Sequence, residues 1–87
     1  MKSCTIISDF PDDIARALMK NLGRGVTYIH GEGAFSGEPK KIIYTIVSRI
    51  ELSTLRDIVQ DIDPNAVVAI ENMADVYGSN LKKSASH

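Results

Sequence analysis

The sequence predicts an α+β domain: four strands in one antiparallel sheet, with two helices on one of its faces. Three observations predict it. Two stretches, residues 14–22 and 52–62, repeat apolar residues at helical spacing, and each lies between β-branched runs. The two runs around residues 31–37 follow one another with no helix between them, as a hairpin requires. At 87 residues the chain suits one small domain, with no internal linker, low-complexity run or short-period repeat.

Each element has a local reason. Residues 4–8, Cys-Thr-Ile-Ile-Ser, are short, β-branched and apolar, and read as the first strand. Asp9, Pro11, Asp12 and Asp13 carry helix-start signals: a cap candidate, a proline near the first turn, and acids facing the positive end of the dipole. Ile14, Ala17, Leu18 and Leu22 form the helix stripe, and Gly23 supplies the stop. A second strand is expected over residues 26–30 and a third, the strongest, over 41–50. In the third, Ile42, Tyr44 and Ile46 point one way while Ile43, Thr45 and Val47 point the other. Glu51 opens a second helix with Leu52, Leu55, Ile58, Val59 and Ile62 on one stripe. Asp63-Pro64 ends it, because a residue before proline resists the helical region. Residues 66–70 read as the last strand, 71–80 as a loop or short edge element, and 82–87 as a polar tail outside a domain spanning 4–81. The order strand, helix, strand, strand, helix, strand is the split βαβ, ferredoxin-like arrangement.

That arrangement leaves one sheet face without helices, and such a face is polar when it meets water. Here strands three and four are apolar on both faces, with Val67 and Ala69 opposing Val68 and Ile70. The second apolar face implies cover from another subunit, so a homo-oligomer, trimer or dimer, is expected, with Val47, Val67 and Ala69 as interface candidates. The alternative is strand composition with no partner.

The formal net charge of −1 argues against a nucleic-acid module, which carries a basic stripe. The single cysteine, Cys4, excludes an intrachain disulfide framework and suits a reducing compartment. No stretch approaches the ~20 apolar residues of a membrane span.

The segment Gly31-Glu32-Gly33-Ala34-Phe35-Ser36-Gly37, followed by Lys40 and Lys41, is the richest in candidate chemistry. Amides of a glycine-rich loop can form an anion-binding concavity. Ser36 would add a hydroxyl, Phe35 a stacking ring, and Lys40 or Lys41 a counter-charge for phosphate. The equally weighted alternative is a flexible hairpin whose Phe35 tucks into its own or a neighbouring subunit. No Gly-Lys-Ser/Thr ends the loop and a strand follows it, so it is neither a Walker motif nor a dinucleotide fingerprint. Arg24 and Thr27, in the turn to the second strand, and Arg49, past the third, complete the ligand candidates. A solvated capping-turn arginine at Arg24, and a surface pair of Arg49 with Glu51, are the favoured readings there. His30 beside the loop lacks the companions a zinc site needs, and no triad, paired carboxylate or activated nucleophile is visible. No cofactor, no metal and no enzymatic activity are expected.

The glycine-rich segment, the run Lys41-Ile42-Ile43-Tyr44-Thr45-Ile46-Val47-Ser48-Arg49 and the run Ile62-Asp63-Pro64-Asn65-Ala66-Val67-Val68 occur in the order of a known family. Together they resemble the C-terminal soluble domain of YitT-type bacterial membrane proteins, a domain of unknown function. Val67 stands where that family often has Phe, and Asn80-Leu81 where it often has Gly-Phe. The resemblance implies a cytosolic domain of a bacterial cell-membrane protein, reaching the membrane only through an attached transmembrane module. The topology is also similar to PII-type signalling proteins, ferredoxin-like trimers that bind nucleotides between subunits. That similarity implies a regulatory sensor taking a small anionic ligand, a nucleotide or cyclic dinucleotide, at a subunit cleft. The alternative is a ligand-free oligomerisation or docking module.

Overall fold

The computed structural model describes residues 1–78. The expected order is present: β1 (Lys2–Ile7), α1 (Pro11–Leu22), β2 (Thr27–Glu32), β3 (Pro39–Val47), α2 (Leu52–Ile62) and β4 (Val67–Asn72), with a 3₁₀ turn at Arg49–Glu51 before α2. The sheet order is β2-β3-β1-β4 and every pairing is antiparallel, which makes this a ferredoxin-like α+β fold. The expected tail, 82–87, and the end of the 4–81 domain lie outside the described residues.

Pairing sets the two faces of the sheet. Cys4 and Ile6 on β1 stand beside Thr45 and Ile43 on β3, and beside Ile70 and Val68 on β4. This row meets the helices. Cys4, Ile6, Ile43 and Val47 pack against Ile14 and Leu18 of α1 and Leu55 and Val59 of α2, all but Val59 with no accessible surface. Burial pushes the Cys4 thiol pKa above its ordinary value, outweighing the nearby Arg56 charge. Val47 is therefore a core residue on the helix-covered row and is not available to a partner; Val67 and Ala69 lie on the opposite face and are exposed.

Several boundaries differ from expectation. β1 begins at Lys2, and β2 runs on through Gly31 and Glu32, which pair with Lys40 and Pro39. β3 ends at Val47, because Ser48 and Glu51 close a capping box that turns the chain into α2. The N-cap of α1 is Phe10, with no side-chain cap; the hydroxyl of Ser8 accepts the Phe10 amide at 2.9 Å instead. α1 ends at Gly23 in the left-handed region, φ 63°, and α2 stops before Pro64, both as the sequence predicts. Residue 73 continues beside the start of β1, where the Met73 amide donates to the Met1 carbonyl at 3.2 Å.

Two side-chain ties join the crossover connections. Arg24, from the α1–β2 turn, is buried and donates to Glu51, from the β3–α2 turn, through Nε at 3.0 and 3.2 Å and Nη2 at 2.6 Å. Glu51 Oε1 also accepts from the Ser48 amide and hydroxyl. The expected solvated arginine and the Arg49–Glu51 pair are both corrected by this contact: Glu51 belongs to Arg24. At the other end of the sheet, Ser8 donates to Asp63 at 2.6 Å, and the Asn65 amide donates to the same carboxylate at 3.0 Å.

These ties set the acid response. Burial opposes ionisation of Glu51, but hydrogen bonds from Arg24 and Ser48 outweigh it and its pKa lies below 4.5. The Ser8 hydrogen bond, opposed by burial and aided by backbone amides, holds Asp63 below 3.8. A carboxylate depressed in the folded state contributes stability that is present above its unfolded pKa and is lost as pH falls through the folded value. Urea midpoints should accordingly be flat above about pH 4.5 and fall below it, with the acid loss smaller in Glu51→Gln. Arg24→Ala leaves the Glu51 carboxylate desolvated without its main partner and should cost about 3 kcal/mol in urea unfolding at neutral pH.

Candidate functional site

The hairpin between β2 and β3 is a closed turn, not an open cradle. The Gly33 amide donates to the Glu38 carbonyl at 2.8 Å and the Gly37 amide to the Gly33 carbonyl at 2.7 Å. The Glu38 amide donates to the Ser36 hydroxyl at 3.2 Å. Gly37 sits at φ 73°, a conformation that glycine adopts without steric cost. Two amides of the segment expected to face an anion, those of Gly33 and Gly37, are thus spent within the loop. Phe35 stands at its tip, fully exposed.

Gly31 and Gly33 serve a different purpose from the one their spacing suggested. A Cβ on Gly31 would lie 3.3 Å from Ile42 Cδ1. A Cβ on Gly33 would meet Ser36 Oγ at 2.7 Å and Lys40 Cε at 3.3 Å. The missing side chains let Ile42 and Lys40 lie against the backbone of the neighbouring strand.

At the base of the hairpin, Asp12 receives the Tyr28 hydroxyl at 2.7 Å and Lys41 Nζ at 3.0 Å. Lys41 Nζ also lies 5.0 Å from the Tyr28 ring centroid, a cation–π distance. Hydrogen bonds from Tyr28 and then Lys41 hold the Asp12 carboxyl below 3.8. Burial, followed by the hydrogen bond to Asp12 and its charge, pushes Tyr28 up to about 12. This cluster pins the hairpin to the start of α1. Beside it lies a cleft of about 260 Å³, with Asp9, Asp12 and Glu38 facing Lys40 and Lys41. Its charge is mixed, and Lys41 is already paired with Asp12.

The ligand candidates do not converge in one chain. Gly31, Gly33, Phe35, Ser36, Gly37, Lys40 and Lys41 cluster at the hairpin end of the sheet. Arg24 and Arg49 lie at the other end, and Thr27, at the start of β2, pairs with Tyr44. The seven residues from Lys41 to Val47 already span about 20 Å. Near that far end, Gly25, Thr27, Tyr44 and Ile46 border a second cleft of about 80 Å³. The bare sheet face runs between the two ends: Ile7, Ile29 and Val67 are 40 %, 47 % and 59 % exposed, with Ile42, Tyr44 and Ile46 half-buried among them.

Sequence reasoning missed the Tyr28–Asp12–Lys41 cluster, having read Asp12 as an acid of the helix start and Lys41 as a counter-charge for a ligand. The available signal was Lys41, a charge on the row that Ile43, Thr45 and Val47 otherwise keep uncharged, diagonal to Tyr28 across the hairpin. His30 is exposed. Among the described residues no group of three or more His, Cys, Asp or Glu is placed to hold a metal ion, and no helix is long and apolar enough to cross a membrane. Tyrosinate absorbance should show Tyr28 ionising near pH 12, a step that Tyr28→Phe removes.

Comparison with known proteins agrees with the motifs. The UPF0750 membrane proteins YxkD and YpjC of Bacillus subtilis (strain 168) are 35 % and 36 % identical over 80 residues, 92 % of this chain but 29 % and 28 % of theirs. The UPF0750 membrane protein YitT of the same strain is 32 % identical over 73 residues, 84 % of this chain and 26 % of its own. The chain thus spans less than a third of these relatives. The crystal structure of an uncharacterized DUF2179 protein from Eubacterium ventriosum matches the fold with a TM-score of 0.71 at 23 % identity, covering 80 % of this chain and 96 % of that one. Residues 24–78 match the DUF2179 family, uncharacterized proteins conserved in bacteria. The resemblance to the YitT-type soluble domain is borne out, and the chain belongs to the DUF2179 family.

Proposed function

We propose that this domain is a non-enzymatic assembly module of a regulatory kind, whose copies pack against one another through the bare face of the sheet. The observation that carries this reading is the apolar row Ile7, Ile29, Ile42, Tyr44, Ile46 and Val67, which neither α1 nor α2 covers. Burying that row against a second copy is favourable at about 25 cal/mol per Å² of apolar surface. In relatives named as membrane proteins, such association would couple neighbouring membrane modules from the cytosolic side.

A second reading, a sensor for a nucleotide or cyclic dinucleotide, draws on one observation. Lys40 and Arg49 are exposed cations at opposite ends of the sheet, so a second copy can bring them to one anion. The cleft volumes of about 260 and 80 Å³ fall short of the ~300–1,000 Å³ usual for small-molecule sites, so such a ligand would sit between copies.

Sedimentation of the purified chain tests the assembly. A concentration-dependent oligomer is expected, and Val67→Asp should dissociate it; a monomer at every concentration, or an unchanged mass in the variant, counts against the proposal. Thermal unfolding against a nucleotide panel separates the readings. A ligand at ~100 times its dissociation constant adds roughly 2.7 kcal/mol to stability, whereas a ligand-free module shows no shift.

A further inference from the structure

We infer that Phe35 is a docking knob that seats in the cleft bordered by Thr27, Tyr44 and Ile46 of a second copy of this chain. This deepens the assembly reading and rests on it. Phe35 is fully exposed, yet it is not on a loose loop. The hydrogen bonds of Gly33, Gly37 and Glu38 fix the turn, and the Tyr28–Asp12–Lys41 cluster fixes the base of the hairpin. The backbone that carries the ring therefore has little ordering entropy left to lose on binding.

The receiving cleft has the chemistry of a ring. It holds about 80 Å³, open to the surface, lined by Tyr44, Thr45 and Ile46 on one strand, by Thr27 at the start of the next and by Gly25 just before it. It is far too small for a nucleotide. Aromatic anchors in small desolvated clefts are the usual centres of protein interfaces. The hairpin and the cleft belong to one strand pair, and the apolar face of Ile29 and Ile42 runs from the hairpin to Tyr44.

Position selects the partner. The knob is at one end of the sheet and the cleft toward the other. Two copies laid face to face with strands antiparallel, related by a two-fold axis, place each knob over the other's cleft at the same time. Charge favours that orientation. Beside the knob the exposed acids Glu32 and Glu38 outnumber the exposed Lys40, while the exposed Arg49 lies in the turn past the cleft end of β3, with the exposed Glu71 further off on β4. The same two acids disfavour an anionic lipid surface as the partner.

The test is the dissociation constant of the full chain, by sedimentation equilibrium, for four proteins: wild type, Phe35→Glu, Phe35→Leu and Thr27→Trp. Phe35 and Thr27 are exposed, so the variants should fold, which circular dichroism checks. Phe35→Glu, which loses the ring, and Thr27→Trp, which fills the cleft, should each weaken association at least tenfold, while Phe35→Leu keeps most of it. Wild-type association in both Phe35→Glu and Thr27→Trp, with Val67→Asp still dissociating, overturns the knob and leaves sheet-face assembly standing. A wild-type chain that stays monomeric overturns both. Binding of wild type to phosphatidylglycerol vesicles, lost in Phe35→Glu with no change of mass, overturns the knob in favour of a lipid contact.

Discussion

Two helices can cover only one face of a four-stranded sheet, and that shortage governs the molecule. α1 and α2 bury the row that contains Cys4, Ile6, Ile43 and Val47. The other row is built from the same kinds of residue. Ile7, Ile29, Ile42, Ile46 and Val67 differ from the core residues in parity along their strands, not in chemistry. A strand with apolar residues on both faces asks for two covering layers, and α1 and α2 supply one. The hairpin, its exposed phenylalanine and the separated clefts gain their meaning from that uncovered side.

The polar groups have mostly structural duties. Arg24 is drawn out of water to hold the α1–β2 and β3–α2 turns together, and Glu51 serves this contact and the capping box at once. Ser8 and Asp63 tie the other pair of connections. Lys41 and Asp12 anchor the hairpin. Once these are assigned, the exposed charges around the bare face include, among the described residues, Lys40 and the two acids of the hairpin at one end and Arg49 and Glu71 at the other. Chemistry that needs several of them together needs more than one chain.

Most of the fold was legible because its signals are local. Helical spacing marked Ile14–Leu22 and Leu52–Ile62, and Gly23 and Pro64 ended the helices within a residue of where they end. Alternation in β3 was equally clear, but not the side on which each row falls. Val47 and Ile46 look alike, and only pairing with β1 shows that Val47 joins the core. The glycines misled for a similar reason. Gly31 and Gly33 read as loop freedom, whereas they are places where Ile42 and Lys40 approach a neighbouring backbone. Arg24 and Glu51 are 27 positions apart, and Tyr28 and Asp12 are 16 apart. No pattern of nearest neighbours records such contacts, so Arg24 and Glu51 read as surface charges and Asp12 as an acid of the helix start.

The hydrogen bond from Met73 to Met1 places the start of β1 and the exit of β4 side by side, at the end of the sheet away from Phe35. A polypeptide joined ahead of Met1 would therefore hold the domain by its heel, with the hairpin as the toe. The nine residues of β3 separate the two by about 30 Å of nearly inextensible strand. In an antiparallel pair the two heels point to opposite sides, at equal height along the two-fold axis. Tethers of equal length would let such a proposed pair lie flat over any surface that held both, its strands parallel to that surface.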